Sequence, residues 1–147
     1  MLARLGAYLI AFVVLGSIPY LCYPIMMTVA WALRKAYWVA PLVFCVLDAV
    51  MRCCSIFLAA WLINRIGQSP SWLMFLIPWY LMVQNDVMRI NRVKAGKSNL
   101  KRMHEQAGQP ESYDQRLDLW VERGHLAGDV VGWTAGANLT LQAASFF

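Results

Sequence analysis

Two side chains of opposite charge interrupt an otherwise apolar stretch in the first half of the chain. Asp48 and Arg52 lie four positions apart, so on a helix they share one face and can pair. Each would cost about 2.5 to 3.5 kcal/mol at the centre of a bilayer, so this face, which continues through Ser55, must meet protein or water. The pattern indicates either a path for ions or protons, or an internal pair that sets the helix register. We favour the internal pair.

Other residues with chemical potential are few and scattered. Glu122 and His125 form one E-x-x-H motif, whereas a di-iron bundle needs two such motifs and two further glutamates. The four cysteines lie in apolar segments without a CxxC pair, which favours buried free thiols. No nucleophile elbow, P-loop or H-E-x-x-H motif is present. We therefore expect no catalytic residues, no metal site and no cofactor, and a chain that is not an enzyme.

Small residues recur at every fourth position near the C-terminus. A helix with this spacing presents one bare flank, at a cost of about 1 kcal/mol per glycine relative to alanine. In lipid such flanks let helix backbones approach each other, so the stripe predicts a helix-packing surface. The stripe drifts by about 40° per step, so a straight partner would cover only part of it and full coverage needs two contacts or a wrapping partner. Its members are Gly124, Gly128, Gly132, Gly136, Thr140 and Ala144.

A second period competes in the same segment. From Trp133 to Ala143 apolar and polar residues alternate, which is typical of a strand. We favour a helix, because one strand cannot close a barrel and the preceding segments read as helices.

Composition defines the class. Hydrophobic residues make up 60% of the 147 residues and charged residues only 14%, against about 25% charged in ordinary soluble domains. No charge occurs from Gly6 to Leu33, which exceeds the ~20 apolar residues that cross a bilayer. The chain is therefore expected to be an integral membrane protein, with its first segment retained rather than cleaved.

Three spans are expected in the first 92 residues. The first runs from Leu5 to Leu33 and contains Pro19 and Pro24, which predict a kink, or alternatively a re-entrant hairpin of two half-helices. The second runs from Trp38 to Ile63 between aromatic residues typical of membrane interfaces.

The third span is short. It covers Ser71 to Val83 and contains Pro78, which should bend it. A half-crossing or interfacial helix is the alternative, because 13 apolar residues are few for a full crossing.

A basic cluster follows the third span. Such a cluster marks the cytoplasmic side and meets anionic lipid headgroups. No aromatic residues interleave its charges, which argues against nucleic-acid binding. We therefore expect a multi-pass protein of the cell membrane, in a bacterium the inner membrane, with this loop cytoplasmic and the N-terminus outside. The cluster comprises Arg89, Arg92, Lys94, Lys97, Lys101 and Arg102.

The expected organisation has three parts: a transmembrane helical domain at 1–92, a basic polar loop at 93–111, and an amphipathic helix plus glycine-striped helix at 112–147. The fold class is thus an all-α integral membrane protein with three N-terminal transmembrane helices, the first and third kinked by proline. An amphipathic cytoplasmic helix follows, with Tyr113, Leu117, Trp120 and Val121 on one face. The glycine-striped helix either crosses as a fourth span or packs against other helices.

These features predict a small non-catalytic subunit of a multi-subunit membrane complex. Its partners would be membrane lipids and other transmembrane subunits, in a homo- or hetero-oligomer held by the GxxxGxxxGxxxG surface. The alternative is a homo-oligomeric pore or translocation component of a secretion or transfer apparatus, in which Asp48, Arg52, Asn85 and Asp86 line a wet path. An enzyme acting on a lipid-soluble substrate is a third hypothesis, and it rests only on the intramembrane polar residues.

Overall fold

The computed structural model describes residues 2–33 and 37–143. Of these residues 89% are helical and none is in a strand. The five α-helices are α1 (Leu2–Ala32), α2 (Ala40–Arg65), α3 (Trp72–Lys94), α4 (Asn99–Gln106) and α5 (Gln115–Ala143), with short 3-10 helices at Tyr37–Val39 and Pro110–Ser112.

The all-helical prediction is confirmed. The alternating segment near the C-terminus is helical as far as Ala143, so the strand interpretation is wrong, and Ala144 lies outside the described residues. The first helix runs unbroken through Pro19 and Pro24, so the re-entrant hairpin is wrong as well.

Two helices are long and apolar enough to cross a membrane. They are Leu2–Met26 within α1 and Ala40–Arg65, which is all of α2. The 26 residues of α2 extend about 39 Å, more than the hydrocarbon thickness of a typical bilayer.

The structure corrects the predicted loop at 93–111. This segment contains α4, which begins after Ser98, whose hydroxyl accepts a hydrogen bond from the backbone N–H of Lys101. The chain turns into it at Gly96, where φ is +67°. A glycine with positive φ follows the end of α3 and a serine caps the start of this short helix, none of whose residues is buried.

The amphipathic and glycine-striped helices are one continuous helix. α5 begins after Asp114, whose carboxylate accepts hydrogen bonds from the backbone N–H groups of Arg116 and Leu117. Asp114 satisfies the free donors of the first turn, so the helix begins slightly later than the predicted boundary at residue 112.

Four of the helices form a bundle. Gly6 near the start of α1 lies by Ile66 after the end of α2, so α1 and α2 are antiparallel. The turn at 66–71 then returns α3 antiparallel to α2. By contrast, α5 runs parallel to α2, because its contacts advance along both chains in the same direction.

Two apolar clusters hold the bundle at different heights. The larger one joins α1, α2, α3 and α5 and includes Leu15, Ile56, Phe75 and Trp133. The smaller one lies nearer the start of α2 and is built on Ala40, Phe44 and Val121. The charged residues of α2 lie between the two clusters in sequence, which places the polar site between two apolar layers.

Candidate functional site

The four glycines of α5 lie directly against the backbone of α2. A Cβ atom at Gly124, Gly128 or Gly132 would lie less than 3.0 Å from a main-chain carbonyl oxygen of α2, and one at Gly136 would lie 3.1 Å from the Cα of Cys53. Side chains do not approach backbone that closely, so the observed helix separation requires glycine at the first three positions. The carbonyl oxygens belong to Pro41, Cys45 and Ala49.

A single helix covers all four glycines. The contacted residues of α2 also recur at every fourth position, so both stripes drift together and the two helices must wrap around each other. Thr140 continues the stripe and is buried. The surface that the sequence assigned to other subunits is therefore occupied by α2 of the same chain.

Charged pairs join the same two helices beside the glycines. The guanidinium of Arg52 donates two hydrogen bonds to the Asp129 carboxylate, from Nε at 2.7 Å and from Nη2 at 3.2 Å. Both side chains are more than nine-tenths buried. A bidentate pair of this kind is the strongest arrangement that arginine and carboxylate form.

The second pair lies one turn away. Nδ1 of His125 donates a hydrogen bond to Oδ2 of Asp48, and the imidazole stacks on the Phe44 ring with the centroids 4.8 Å apart. The predicted pair within α2 is thus replaced by two pairs between α2 and α5. The reason is the missing glycine side chains: the Cβ of Asp48 lies against Gly128 and that of Arg52 against Gly132, so the short side chains of α5 come within direct reach.

Ser55 plays a local part in this face. Its buried hydroxyl donates to the carbonyl of Met51 at 2.6 Å, one turn earlier in α2. The hydroxyl proton of Ser55 is therefore used within its own helix.

A third set of charges comes from α3. Arg89 Nε lies 2.9 Å from Glu122 Oε2, and Nη2 donates to Glu122 Oε1 at 3.2 Å. The same guanidinium lies 3.8 Å from the carboxylate of Asp86, which is 3% exposed. Asp86 faces the same cavity as Asp129, so two buried carboxyl groups of neighbouring helices line it together.

These charges line one cavity of about 650 Å³ between the helices. Aromatic side chains of α1, including Phe12, Tyr20 and Tyr23, form its apolar wall. At one end it reaches the start of α4 at Ser98 and Asn99. The polar wall is formed by Asp48, Arg52, Asn85, Asp86, Arg89, Glu122, His125 and Asp129.

The basic cluster divides into two groups. Arg89 and Arg92 line the cavity. Arg89 pairs with a carboxylate there, so its contacts indicate a role inside the bundle rather than at lipid headgroups. Lys94 and Lys97 are exposed. In α4, Arg102 donates to Asn99 and Lys101 lies 3.8 Å from Glu105.

A hydrogen-bonded contact ties α4 and the start of α5 together beside the cavity. The hydroxyl of Tyr113 donates to the buried carboxylate of Asp118 at 2.9 Å and accepts from Ser98 at 3.3 Å. Burial, together with the neighbouring Asp118 carboxylate, raises the pKa of the Tyr113 hydroxyl. Gln115 adds a hydrogen bond to the carbonyl of Val93 at the end of α3.

Sequence reasoning missed the α5 half of the site. His125 and Asp129 are four positions apart, matching the spacing of Asp48 and Arg52 on α2. Two such pairs on two apolar helices are a signal for cross-helix neutralisation, since four-residue spacing places both members on one face. Arg89 and Glu122 carried no comparable signal.

Within the described residues, no three side chains of the metal-binding types come together in a way that could hold an ion. No protein-family model, no curated protein and no solved structure matches the chain.

Proposed function

We propose that this chain is a multi-pass membrane protein that acts as a translocation component for small ions. The supporting observation is that Asp48, Arg52, Asn85 and Asp86, the four polar residues that the sequence suggested for a wet path, all line one cavity. Three helices contribute charged groups to it. Such groups are costly within a bilayer, and they are typical of ion and proton pathways.

The proposed membrane placement has four spans. α3 and α5 pack alongside the two apolar helices α1 and α2. Their 23 and 29 residues extend about 34 and 43 Å, enough for a crossing. The positive-inside rule then assigns the α3–α4 region to the cytoplasmic side. The whole bundle would face membrane lipid, as the many exposed apolar side chains of α1 suggest.

The path would run from the cytoplasmic side to the middle of the bundle. The cavity extends from the α3–α4 turn at Ser98 to Arg52, which lies at the centre of α2. Beyond Arg52 the larger apolar cluster, with Ile56 and Trp133 fully buried, closes the bundle. We propose that this cluster acts as the gate, because a dry apolar constriction blocks ions without a polar plug.

Conductance of the purified protein tests the proposal. In liposomes the wild-type protein should pass ions, and Asp48→Asn should reduce the flux because it removes one charge from the cavity wall. The double variant Arg52→Gln with Asp129→Asn should reduce it too, while leaving no unpaired buried charge. Flux assays for protons, potassium, sodium and chloride give the measurement.

The matched control is a charge pair of the same kind outside the cavity. Lys101 and Glu105 form an exposed pair in α4, and Lys101→Gln with Glu105→Gln should leave the flux unchanged. If every cavity variant conducts as the wild type does, the cavity is not the path.

The role of a non-catalytic subunit in a membrane complex stays a prediction, and it now requires a different contact surface. Because α2 covers the glycine surface, a non-catalytic subunit would have to meet its partners through another face. The mass of the detergent-solubilised protein distinguishes the two roles. A particle that contains this chain alone favours translocation through its own bundle, whereas unrelated subunits that co-purify favour the accessory role.

A further inference from the structure

Asp86 is the least neutralised of the buried charges in the cavity. Its side chain is 4% exposed, and among the described residues its ion-pair contact is Arg89 Nη1 at 3.8 Å. The guanidinium of Arg89 makes its shorter contacts with Glu122 instead. Among the described residues, none donates a hydrogen bond to Asp86 Oδ2. A buried carboxylate left in this state is expensive, so Asp86 needs a positive partner.

The neighbour on the other side of Asp86 is a second carboxyl group. Asp129 lines the same cavity as Asp86, and both Asp129 oxygens already accept from Arg52. Two buried carboxylates that face one cavity disfavour each other's ionisation, which favours one proton bound to the pair. The proton resides on the Asp86 side, because the guanidinium of Arg52 stabilises Asp129 as the anion.

Among the buried groups that face Asp86, carboxylates outnumber guanidinium groups. Three buried carboxylates, Asp48, Asp86 and Asp129, accompany one buried guanidinium, Arg52. Arg52 pairs with Asp129, His125 contacts Asp48 and Arg89 makes its short contacts with Glu122, so Asp86 is the least compensated of the three. The charged and titratable groups around the cavity come from every packed element: Asp48 and Arg52 on α2, Arg89 and Arg92 on α3, Glu122, His125 and Asp129 on α5, and Tyr20 and Tyr23 on α1.

We infer that the ion moved through this cavity is the proton, and that Asp86 is the residue that carries it. This inference rests on the proposed translocation function and names its substrate. An O–H bond forms on Asp86 when a hydronium ion on one side gives up a proton, which breaks one of its own O–H bonds and leaves water. The O–H bond on Asp86 breaks when the proton leaves to water on the other side, and its electron pair stays on the carboxylate. No electron is transferred, and Arg52 and Arg89 stabilise the carboxylate until the next proton arrives.

Infrared spectroscopy of the detergent-solubilised protein reports the bound proton without any flux. At neutral pH the wild type should show the carbonyl stretch of a protonated carboxylic acid, shifted in heavy water. Asp86→Asn should remove this band. The control is Asp118→Asn, since Asp118 is equally buried but accepts from Tyr113 outside the cavity and should not contribute to the band.

Thermal unfolding shows whether the Asp86→Asn variant still folds, and it distinguishes a protonated Asp86 from an ionised one. An asparagine closely resembles a protonated aspartic acid, so Asp86→Asn should melt at the wild-type temperature or above. If Asp86 were instead an ionised partner of Arg89, the same variant would lower the melting temperature. That result, or a wild type without the protonated-acid band, would overturn the inference.

Proton flux into liposomes completes the experiment. A pH-sensitive dye should report wild-type proton uptake, with a decrease of about a hundredfold in Asp86→Asn, the scale of one proton-transferring group, and recovery in Asp86→Glu. Flux of potassium or chloride without protons would overturn this inference while leaving the translocation proposal intact. Absence of flux for every ion would overturn both.

Discussion

Two neighbouring strips of the α2–α5 interface use opposite chemistry. One strip consists of four glycines of α5 that lie against the main chain of α2, three of them against carbonyl oxygens. The strip beside it consists of His125 and Asp129 paired with Asp48 and Arg52. Both repeat every four residues. The glycine strip therefore positions the charged strip, because short carboxylate side chains reach across two helices only when the helix backbones are close.

The largest expected effect comes from filling the glycine strip. Gly132→Leu would place a side chain against the Ala49 carbonyl and the Cβ of Arg52, so α5 should no longer dock on α2. We expect loss of the folded bundle, seen as aggregation in size-exclusion chromatography and rapid proteolysis of α5.

The matched control uses a glycine with free space around it. A Cβ at Gly16 of α1 would meet nothing within 4 Å, so Gly16→Leu should leave the elution volume unchanged. Gly136 provides an intermediate case, because its neighbours are 3.1 Å away and include the flexible end of Ile56. If Gly132→Leu elutes and resists protease as the wild type does, the close contact does not hold the bundle.

Substitutions in the charged strip should destabilise the bundle less than Gly132→Leu does. The effects of substituting the two partners of a pair should depend on each other. Arg52→Gln alone leaves Asp129 buried without its partner and should destabilise the bundle by about 3 to 5 kcal/mol. Adding Asp129→Asn should recover most of that loss. A double-mutant cycle on thermal or denaturant unfolding measures the coupling.

The exposed pair of α4 sets the baseline for this cycle. Lys101 and Glu105 are 39% and 50% exposed and should show coupling of no more than about 0.5 kcal/mol. Equal coupling in the two pairs would mean that burial between α2 and α5 adds nothing to the Arg52 contact.

The smallest expected effect lies at Tyr113, away from both strips. Tyr113→Phe removes the donor to buried Asp118 and should cost about 1 to 2 kcal/mol at neutral pH. Because the folded pKa of Tyr113 is raised, its contribution is complete below the unfolded value of about 10 and is lost as pH rises through the folded value. Unfolding measured between neutral and alkaline pH should therefore show the variant approaching the wild type at high pH.

An exposed tyrosine serves as control. Tyr80 is 55% exposed and its hydroxyl accepts from Gln84 in the same helix, so Tyr80→Phe should change stability by less than about 0.5 kcal/mol. A constant difference between Tyr113→Phe and the wild type across the pH range would contradict the assigned pKa direction.

The helices were easier to predict from the sequence than the contacts between them. The charge-free and apolar runs predict α1 and α2, and the four-residue period predicts the bare flank of α5. The partner of that flank was not predictable, because α2 meets it mostly through main-chain atoms, and its contact residues Pro41, Cys45, Ala49 and Cys53 belong to three different residue types. α4 was missed because its polar residues have no buried face and only Ser98 marks its start.

Only the cavity residues that α2 and α3 contribute were predictable from the sequence. Asp48 and Arg52 stand out because charge is rare in an apolar helix, and Asn85 and Asp86 follow an apolar run directly. Asp129 was visible as the single charge of the C-terminal segment, yet its pairing depends on a parallel arrangement of α2 and α5. That arrangement requires the chain to return through α3 and α4, and no local pattern encodes it.

The parallel pairing of α2 with α5 has a consequence for biogenesis. Domains form from the N-terminus during synthesis, so α2 emerges from the ribosome well before α5 has been made. Until then Asp48 and Arg52 lack His125 and Asp129, and their spacing on one helical turn lets them neutralise each other in the interim. When α5 has been made, the temporary pair of Asp48 and Arg52 would be replaced by the final pairs with His125 and Asp129. The nascent chain would then complete its folding by exchanging one set of charge pairs for another.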